Sequence, residues 1–427
     1  MHLRLCVGAI CTTATALLSQ PAPRTPQIPP PTGRFAVGRV AAHWIDSSRA
    51  EPFAQAPAAR RELMIYVWYP AMATSVTPHA PYIPDMAKIV TSLGDPPMRA
   101  MFGSAVGAMV SGRVQTASLD RAPFAPTVAS APLLLFSPGF EESVLTYAAQ
   151  VEDLASHGYI VVGIDHPYDS WGVRFPDGRI IPFAQAQWDS AQRLPNGAVA
   201  YQLAQVPLRA DDMRFVLNRL LASSKTPSRE APFAGHIDWT EVGAFGHSLG
   251  GVAAASACRT DARIRACLNE DAEDDGRPWD GGVAAHVIKQ PFLFFVTRHS
   301  IYVSPRTPPP SAEALAQMKM TRAQYDSMAN ANQRNEDAAL AAMPGGSYRV
   351  KAEAADFTHG TFMDRKLLQS SSDSLGRIQD SYMNLVRTYV RAFFDQVLLS
   401  RAPTALDRVG TIDSVITVER FKPPPLR

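Results

Sequence analysis

Val242 to Ala257 reads VGAFGHSLGGVAAASA, and its glycines at 243, 246, 250 and 251 crowd one Ser-Leu pair. An apolar run precedes the pair and a run of small residues follows it. Gly246-His247-Ser248-Leu249-Gly250 fits a G-x-S-x-G bend, in which a strand turns sharply into a helix and lifts a serine hydroxyl to the tip. Bulky side chains two residues either side of that serine would collide, which accounts for Gly246 and Gly250. A phosphate-cradling loop is the competing glycine-rich pattern. It ends in Gly-Lys-Ser/Thr, and there is no lysine in this stretch.

Such a bend needs a sheet edge to stand on, and the rest of the chain supplies one. APLLLFSPGF (131–140), YIVVGIDHP (159–167), IRACLNED (264–271), PFLFFVT (291–297) and SYRVKAEA (347–354) read as strands. YAAQVEDLASHG (147–158), LRADDMRFVLNRLLA (208–222) and IQDSYMNLVRTYVRAFFDQVLL (378–399) have helical spacing. Strand and helix alternating at this interval predict a mostly parallel sheet flanked by helices, and with the serine bend an α/β-hydrolase fold. FAVGRVAAHWID and RELMIYVWYPA read as two strands before it, followed by a loop region with prolines at 78, 81, 84, 96 and 97. The segments 169–206, with Trp171, Phe175, Phe183 and Trp188, and 298–346, Met-rich, follow strand C-terminal ends and read as cap-like pocket walls.

Residues 1–20 have a basic start, a short apolar stretch and the small-residue site Ala14-Thr15-Ala16, the pattern of an export signal. Residues 21–33 are a proline-rich spacer, expected to be extended and unpacked, and 34–427 a single domain with the two insertions. With 427 residues and 46% hydrophobic the chain can bury a large core, and its net charge of +2 is spread without a basic run, which argues against nucleic acid. No segment is long and apolar enough for an integral membrane span. Cys258 and Cys267 are read as two buried small apolar side chains, a disulfide being the alternative in an oxidising compartment.

A serine hydroxyl needs a base, and in this fold the order along the chain is Ser, then Asp or Glu, then His. Of the ten histidines, His286, His299 and His359 lie late enough. His359, in ADFTHGTFMD, sits between a strand and the last long helix, where the base arrives in this fold. The stretch after strand 291–297 carries no carboxylate, so the acid is expected at the end of the preceding strand, in LNEDAEDDG. Asp271 is the candidate. Glu270 should face the other way by strand alternation, and Glu273, Asp274 and Asp275 read as solvated loop charges. Two backbone N–H groups should hold the oxyanion, Leu249 directly after the nucleophile and Phe140 in the Ser-Pro-Gly-Phe loop, where Pro138 has no N–H. No clustered Cys or His suggests a metal or other cofactor, and His166 reads as structural.

LLLFSPGFEESVLTYAAQVEDLASHGYIVVGIDHP, GAFGHSLGG, the Asp271 strand end and the H-x-x-F-x-D of His359, Phe362 and Asp364 together resemble the plasma-type platelet-activating factor acetylhydrolase family and its bacterial relatives. The resemblance departs at Pro138, at Glu141-Glu142 and in the segment 272–290 with Trp279. It implies a serine esterase acting through an acyl-enzyme on short-chain acyl esters or on acetylated or oxidised phospholipids. In that family the acid follows the strand after the nucleophile helix, which also points to Asp271. A polyester or peptide hydrolase of the same fold, or a catalytically inactive binding protein, are the alternatives.

Overall fold

The computed structural model describes residues 27–422 apart from 196, 224, 273–285, 299–308, 318, 371–372 and 413. Residues 1–20, read as an export signal, the first part of the spacer, Glu273, Asp274, Asp275, Trp279 and His299 lie outside the described residues. The strands are β1 (Ala36–Ala50), β2 (Arg60–Ala71), β3 (His79–Pro81), β4 (Gln115–Asp120), β5 (Ala131–Ser137), β6 (Ile160–Asp165) and β7 (Gly172–Arg174). They continue as β8 (Ile180–Pro182), β9 (Ile237–His247), β10 (Ala266–Glu270), β11 (Phe292–Thr297), β12 (Ser347–Ala352), β13 (Gly410–Thr411) and β14 (Ile416–Lys422).

One sheet runs β13-β14-β12-β11-β10-β9-β5-β6-β2-β1-β4-β3. Its centre, β12 to β6, is parallel throughout, and β2, β1 and β14 join antiparallel. Leu133 to Phe136 and Phe292 to Phe295 are wholly buried, as expected of strands covered on both faces. The helices Ala148–Ser156 and Asp373–Val397 cover one face, with Val151, Met383, Val390 and Phe393 in one cluster. The helices Gly197–Ala222 and Leu249–Thr260 cover the other, with Met213, Val216, Leu217 and Ala254 in a second. β5 pairs with β6 on one side and β9 on the other, so the chain's direction of winding reverses there. The crevice outside the C-terminal ends of β5 and β9 is where such sheets bind ligands.

Several expectations need correction. The proline-marked loop region contains helices Met86–Leu93, Asp95–Phe102 and Ala105–Val110; Pro96 and Pro97 sit in a helix's first turn, where a missing N–H costs nothing. The sheet gains β13 and β14 after the long helix. The helix expected from 208 starts at Gly197 and carries Pro207 inside it, so 197–206 belongs to a sheet-covering helix. The helix Arg322–Ala342 packs on the sheet, Leu340 and Met343 joining Phe292, Phe294 and Val296. It is the crossover between β11 and β12, where a pocket wall was expected. The spacer is not loose over 27–33: Arg387 donates to the carbonyls of Pro29 and Pro30, and Thr32 donates to Asp153. Cys258 and Cys267 are joined in a disulfide, with Cα atoms 6.4 Å apart. The Leu249–Thr260 helix lies over β10, and that brings the two buried sulfurs together.

Candidate active site

Ser248 stands between β9 and the Leu249–Thr260 helix with φ 52° and ψ −128°, a left-handed conformation that non-glycine residues rarely hold. The glycines around it are required by contact. A Cβ on Gly250 would strike the carbonyls of Ser137 and Pro138, and one on Gly246 would strike Gly250. Ser248 N–H donates to the Glu270 carbonyl at 2.7 Å, which ties the bend to β10.

Parallel register brings the next group alongside. Glu270 pairs with His247, so Asp271 leaves β10 as Ser248 leaves β9. Asp271 is fully buried, with φ 60°. Its Oδ1 accepts the Thr297 N–H at 2.7 Å, and its Oδ2 accepts the Thr297 hydroxyl at 3.0 Å. That Oδ2 also lies 2.8 Å from His359 Nδ1. His359 opens a short 3-10 turn, His359–Phe362, capped by Thr358 and Thr361, and its side chain is 26% exposed. Its ring centroid lies 4.4 Å from that of His247, the residue before Ser248. Asp271 and His359, 88 residues apart, therefore meet beside the serine.

The loop after β5 faces the same crevice. Its peptide groups are nearly all committed. Gly139 N–H donates to Tyr147 Oη at 3.0 Å, and Arg209 donates to the carbonyls of Pro138 and Gly139. Among the described residues no acceptor lies on the N–H of Phe140 or of Leu249. The Phe140 ring meets Phe183, Trp188 and Tyr201 at centroid distances of 5.3, 5.0 and 6.2 Å. Of the aromatics in 169–206, Phe183 and Trp188 thus build a wall beside this loop. Trp171 and Phe175 instead turn into the core. Leu203 and Val206 join Leu249 and Val252 in an apolar patch there.

Charge around the site is arranged by burial. His247 is buried, with Nδ1 2.9 Å from Tyr147 Oη. Burial, with His359 nearby, holds its imidazole well below the ordinary range, so it is neutral. Glu142 is buried against Arg365 at 3.1 Å, and burial pushes it up to about 7. Glu270 is fully buried in the core beside Gln150, and burial pushes it up to about 8. Sequence reasoning found no role for Tyr147 or Arg209; their reach into the loop depends on tertiary packing. His166 is buried between Ser137 and Asp212. His286 is buried as well, in the turn before β11. Among the described residues no three His, Cys, Asp or Glu side chains group so as to hold a metal ion, and no helix is long and apolar enough to cross a membrane.

Glu270 gives a pH prediction. Its pKa rises from about 4.5 to about 8 on folding, so between those values the folded chain holds a proton the unfolded chain has lost. The stability it contributes is full below the lower value and is lost as pH rises through the upper one. Thermal melts should therefore show a fall in stability over that window that is shallower in Glu270→Gln. Parallel curves for the two proteins would count against this.

Comparisons with known proteins point to one family. Residues 22–300 match the family described as platelet-activating factor acetylhydrolase, isoform II. Relatives include a probable 1-alkyl-2-acetylglycerophosphocholine esterase of Arthroderma benhamiae, 33% identical over 38% of this chain and 36% of the relative. A platelet-activating factor acetylhydrolase of Canis lupus familiaris is 30% identical over 39% of each chain. The matches thus span well under half of these curated relatives. Among solved structures, a ferulic acid esterase from Streptomyces cinnamoneus superposes with a TM-score of 0.66 at 28% identity, covering 93% of this chain and 100% of that one. The family match spans Phe140, Ser248, Leu249 and Asp271 and ends before His359, which only the fold brings to them. On the strength of a match over residues 22–300, the chain belongs to the platelet-activating factor acetylhydrolase, isoform II, family of α/β-hydrolases.

Proposed function

We propose that this protein is a serine carboxylic-ester hydrolase working through an acyl-enzyme, with Ser248 as nucleophile, His359 as general base and Asp271 as the residue that orients it. The observation that carries the reading is the 2.8 Å contact of buried Asp271 with His359 beside a serine held at φ 52°. His359 Nδ1–H donates to Asp271, leaving Nε2 to take the Ser248 proton as Oγ attacks the ester carbonyl. The oxyanion is received by the N–H groups of Leu249 and Phe140. His359 then protonates the departing alcohol. Water repeats the sequence on the acyl-enzyme, releasing the carboxylic acid and restoring Ser248.

The family and the printed names of the relatives favour acetylated phospholipids or other short-chain acyl esters as substrates. The wall of Phe140, Phe183 and Trp188 supports a second reading, an aromatic acyl group of the kind named by the ferulic acid esterase neighbour. Residues 1–20 are read as an export signal, and the Cys258–Cys267 disulfide fits an oxidising compartment.

An ester panel tests this. With p-nitrophenyl esters, kcat/KM should be higher for acetyl to butyryl groups than for palmitoyl, and an acetylated phosphatidylcholine analogue should be cleaved. A rate rising steadily towards C16 would instead make the protein a long-chain lipase. Hydroxycinnamoyl esters cleaved far better than acetyl esters would decide for the second reading.

A further inference from the structure

The helix Gly197–Ala222 projects Arg209 and Asp212 inward from one face, and both side chains are buried. The sequence reading assigned neither a role. Arg209 Nε donates to Asp169 at 2.5 Å. One Nη of its fork donates to the Pro138 carbonyl at 2.5 Å, with the Ser137 hydroxyl further off at 3.4 Å. The other donates at 3.2 Å to the Gly139 carbonyl, which also accepts the Glu142 N–H at 3.2 Å. Behind the fork runs a second line of bonds. His166 Nε2 lies 3.0 Å from Ser137 Oγ, and His166 Nδ1 lies 2.8 Å from Asp212 Oδ2. Asp212 is clamped in turn by Arg61 through both carboxylate oxygens, at 3.1 and 2.6 Å.

The donor directions in this chain are consistent. Asp212 is held ionised by Arg61 and can only accept, so His166 donates from Nδ1 and its Nε2 accepts the Ser137 O–H. The Ser137 oxygen is then free to accept from Arg209. Burial pushes His166 down to about 4, in keeping with a neutral ring. Ser137, His166 and Asp212 have the residue types of a catalytic triad. All three are buried, however, and their bonds end on the loop after β5 rather than on the crevice.

What this network does to the loop follows from peptide geometry. The Gly139 carbonyl and the Phe140 N–H belong to one planar trans peptide and point in opposite directions. A guanidinium that draws the Gly139 oxygen towards the helix therefore turns the Phe140 N–H away from it. Gly139 N–H is already spent on Tyr147 Oη, and Pro138 has none to offer. Among the described residues the Phe140 N–H has no acceptor.

We propose that Arg209, anchored by Asp169 and by the Ser137–His166–Asp212 line, is a positioning residue that aims the Phe140 N–H at the oxyanion. This rests on the esterase reading above. Arg209→Lys keeps the buried charge beside Asp169, but a single ammonium cannot reproduce a planar fork that bonds two carbonyls and a carboxylate. The expected result with p-nitrophenyl acetate is a fall in kcat of ~10²-fold, the scale of one lost oxyanion donor, with KM little changed. The affinity of a trifluoromethyl ketone, which forms the tetrahedral adduct, should fall in step with kcat/KM.

Arg349 on β12, buried and paired with the buried Glu336 and the half-buried Glu419, is the control for a purely structural arginine. Arg349→Lys should lower the melting temperature and leave kcat as it was. Arg209→Lys behaving the same way would overturn the proposal, as would a rise in KM at unchanged kcat. If Arg209→Lys fails to fold, Asp169→Asn decides. It loosens the anchor without removing the fork, and kcat should drop ~10-fold; an unchanged kcat would refute the role. Should the wild-type protein cleave no ester of the panel, the esterase reading and this one fall together. Wild-type turnover with unaffected variants removes only the positioning role.

Discussion

Ser248→Ala is expected to lower kcat/KM on p-nitrophenyl acetate by ~10⁴-fold or more, and His359→Ala by a similar factor. Under the proposed mechanism the two act on one proton. The serine is a poor nucleophile without the base, and the base has nothing to activate without the serine. The double variant should therefore be little worse than either single one. Residual activity would come from the backbone N–H groups of Leu249 and Phe140, which neither substitution touches. Stability should be nearly unaffected. Ser248→Ala removes one oxygen and keeps the Cβ, and His359 is partly exposed on a short turn. Wild-type protein quenched during turnover of a slow ester should carry an acyl adduct on the peptide containing Ser248, detectable by mass spectrometry, and Ser248→Ala should carry none. Near-native rates in Ser248→Ala, with the melting temperature retained, would sink the nucleophile assignment.

The parts of this site legible in the sequence are those made by local pattern. Glycines at 246 and 250 mark the bend because a Cβ at either position meets backbone, and that collision is written in the sequence spacing. Asp271 could be chosen over Glu270 because strand alternation is expected to send neighbours to opposite sides, and it is Asp271 that meets His359 while Glu270 lies beside Gln150. The apolar runs of β5, β6 and β11 announced a parallel sheet because strands covered on both faces have no polar side to show. Other features depend on distant partners. Pro96 and Pro97 marked a loop region, yet they sit in a helix's first turn, and the helix read from 208 begins at Gly197 with Pro207 inside it. The proline-rich spacer looked unpacked over 27–33 until Arg387, some 350 residues away, supplied donors to its carbonyls. Cys258 and Cys267 are nine residues apart, and only the helix lying over β10 shows that they meet. Arg209 has the same character. In sequence it is one charge on an amphipathic helix, and its meaning lies in carbonyls some 70 residues earlier.

Asp271→Asn is the second large effect expected, a loss of ~10⁴-fold in kcat/KM with the fold intact. The size follows from hydrogen-bond accounting. The Thr297 N–H is a backbone donor that cannot turn, and it points at Oδ1 from 2.7 Å. An asparagine at 271 must therefore keep its oxygen there and place its NH2 where Oδ2 was. The Thr297 hydroxyl can rotate to accept from that NH2. His359 Nδ1, 2.8 Å away, can also accept, but only if it carries no proton. The imidazole is then driven to the tautomer with its proton on Nε2, the nitrogen that must take the Ser248 proton. The base is present, correctly placed and unable to act. Loss of the carboxylate also removes the charge that would stabilise the imidazolium. Nitrogen-15 chemical shifts of His359 should report the change of tautomer directly, which a merely loosened loop would not produce. Asp274→Asn and Asp280→Asn, in the acidic segment that follows, should retain most activity. If Asp271→Asn keeps near-native rates while Asp280→Asn abolishes them, the acid of this site is not Asp271.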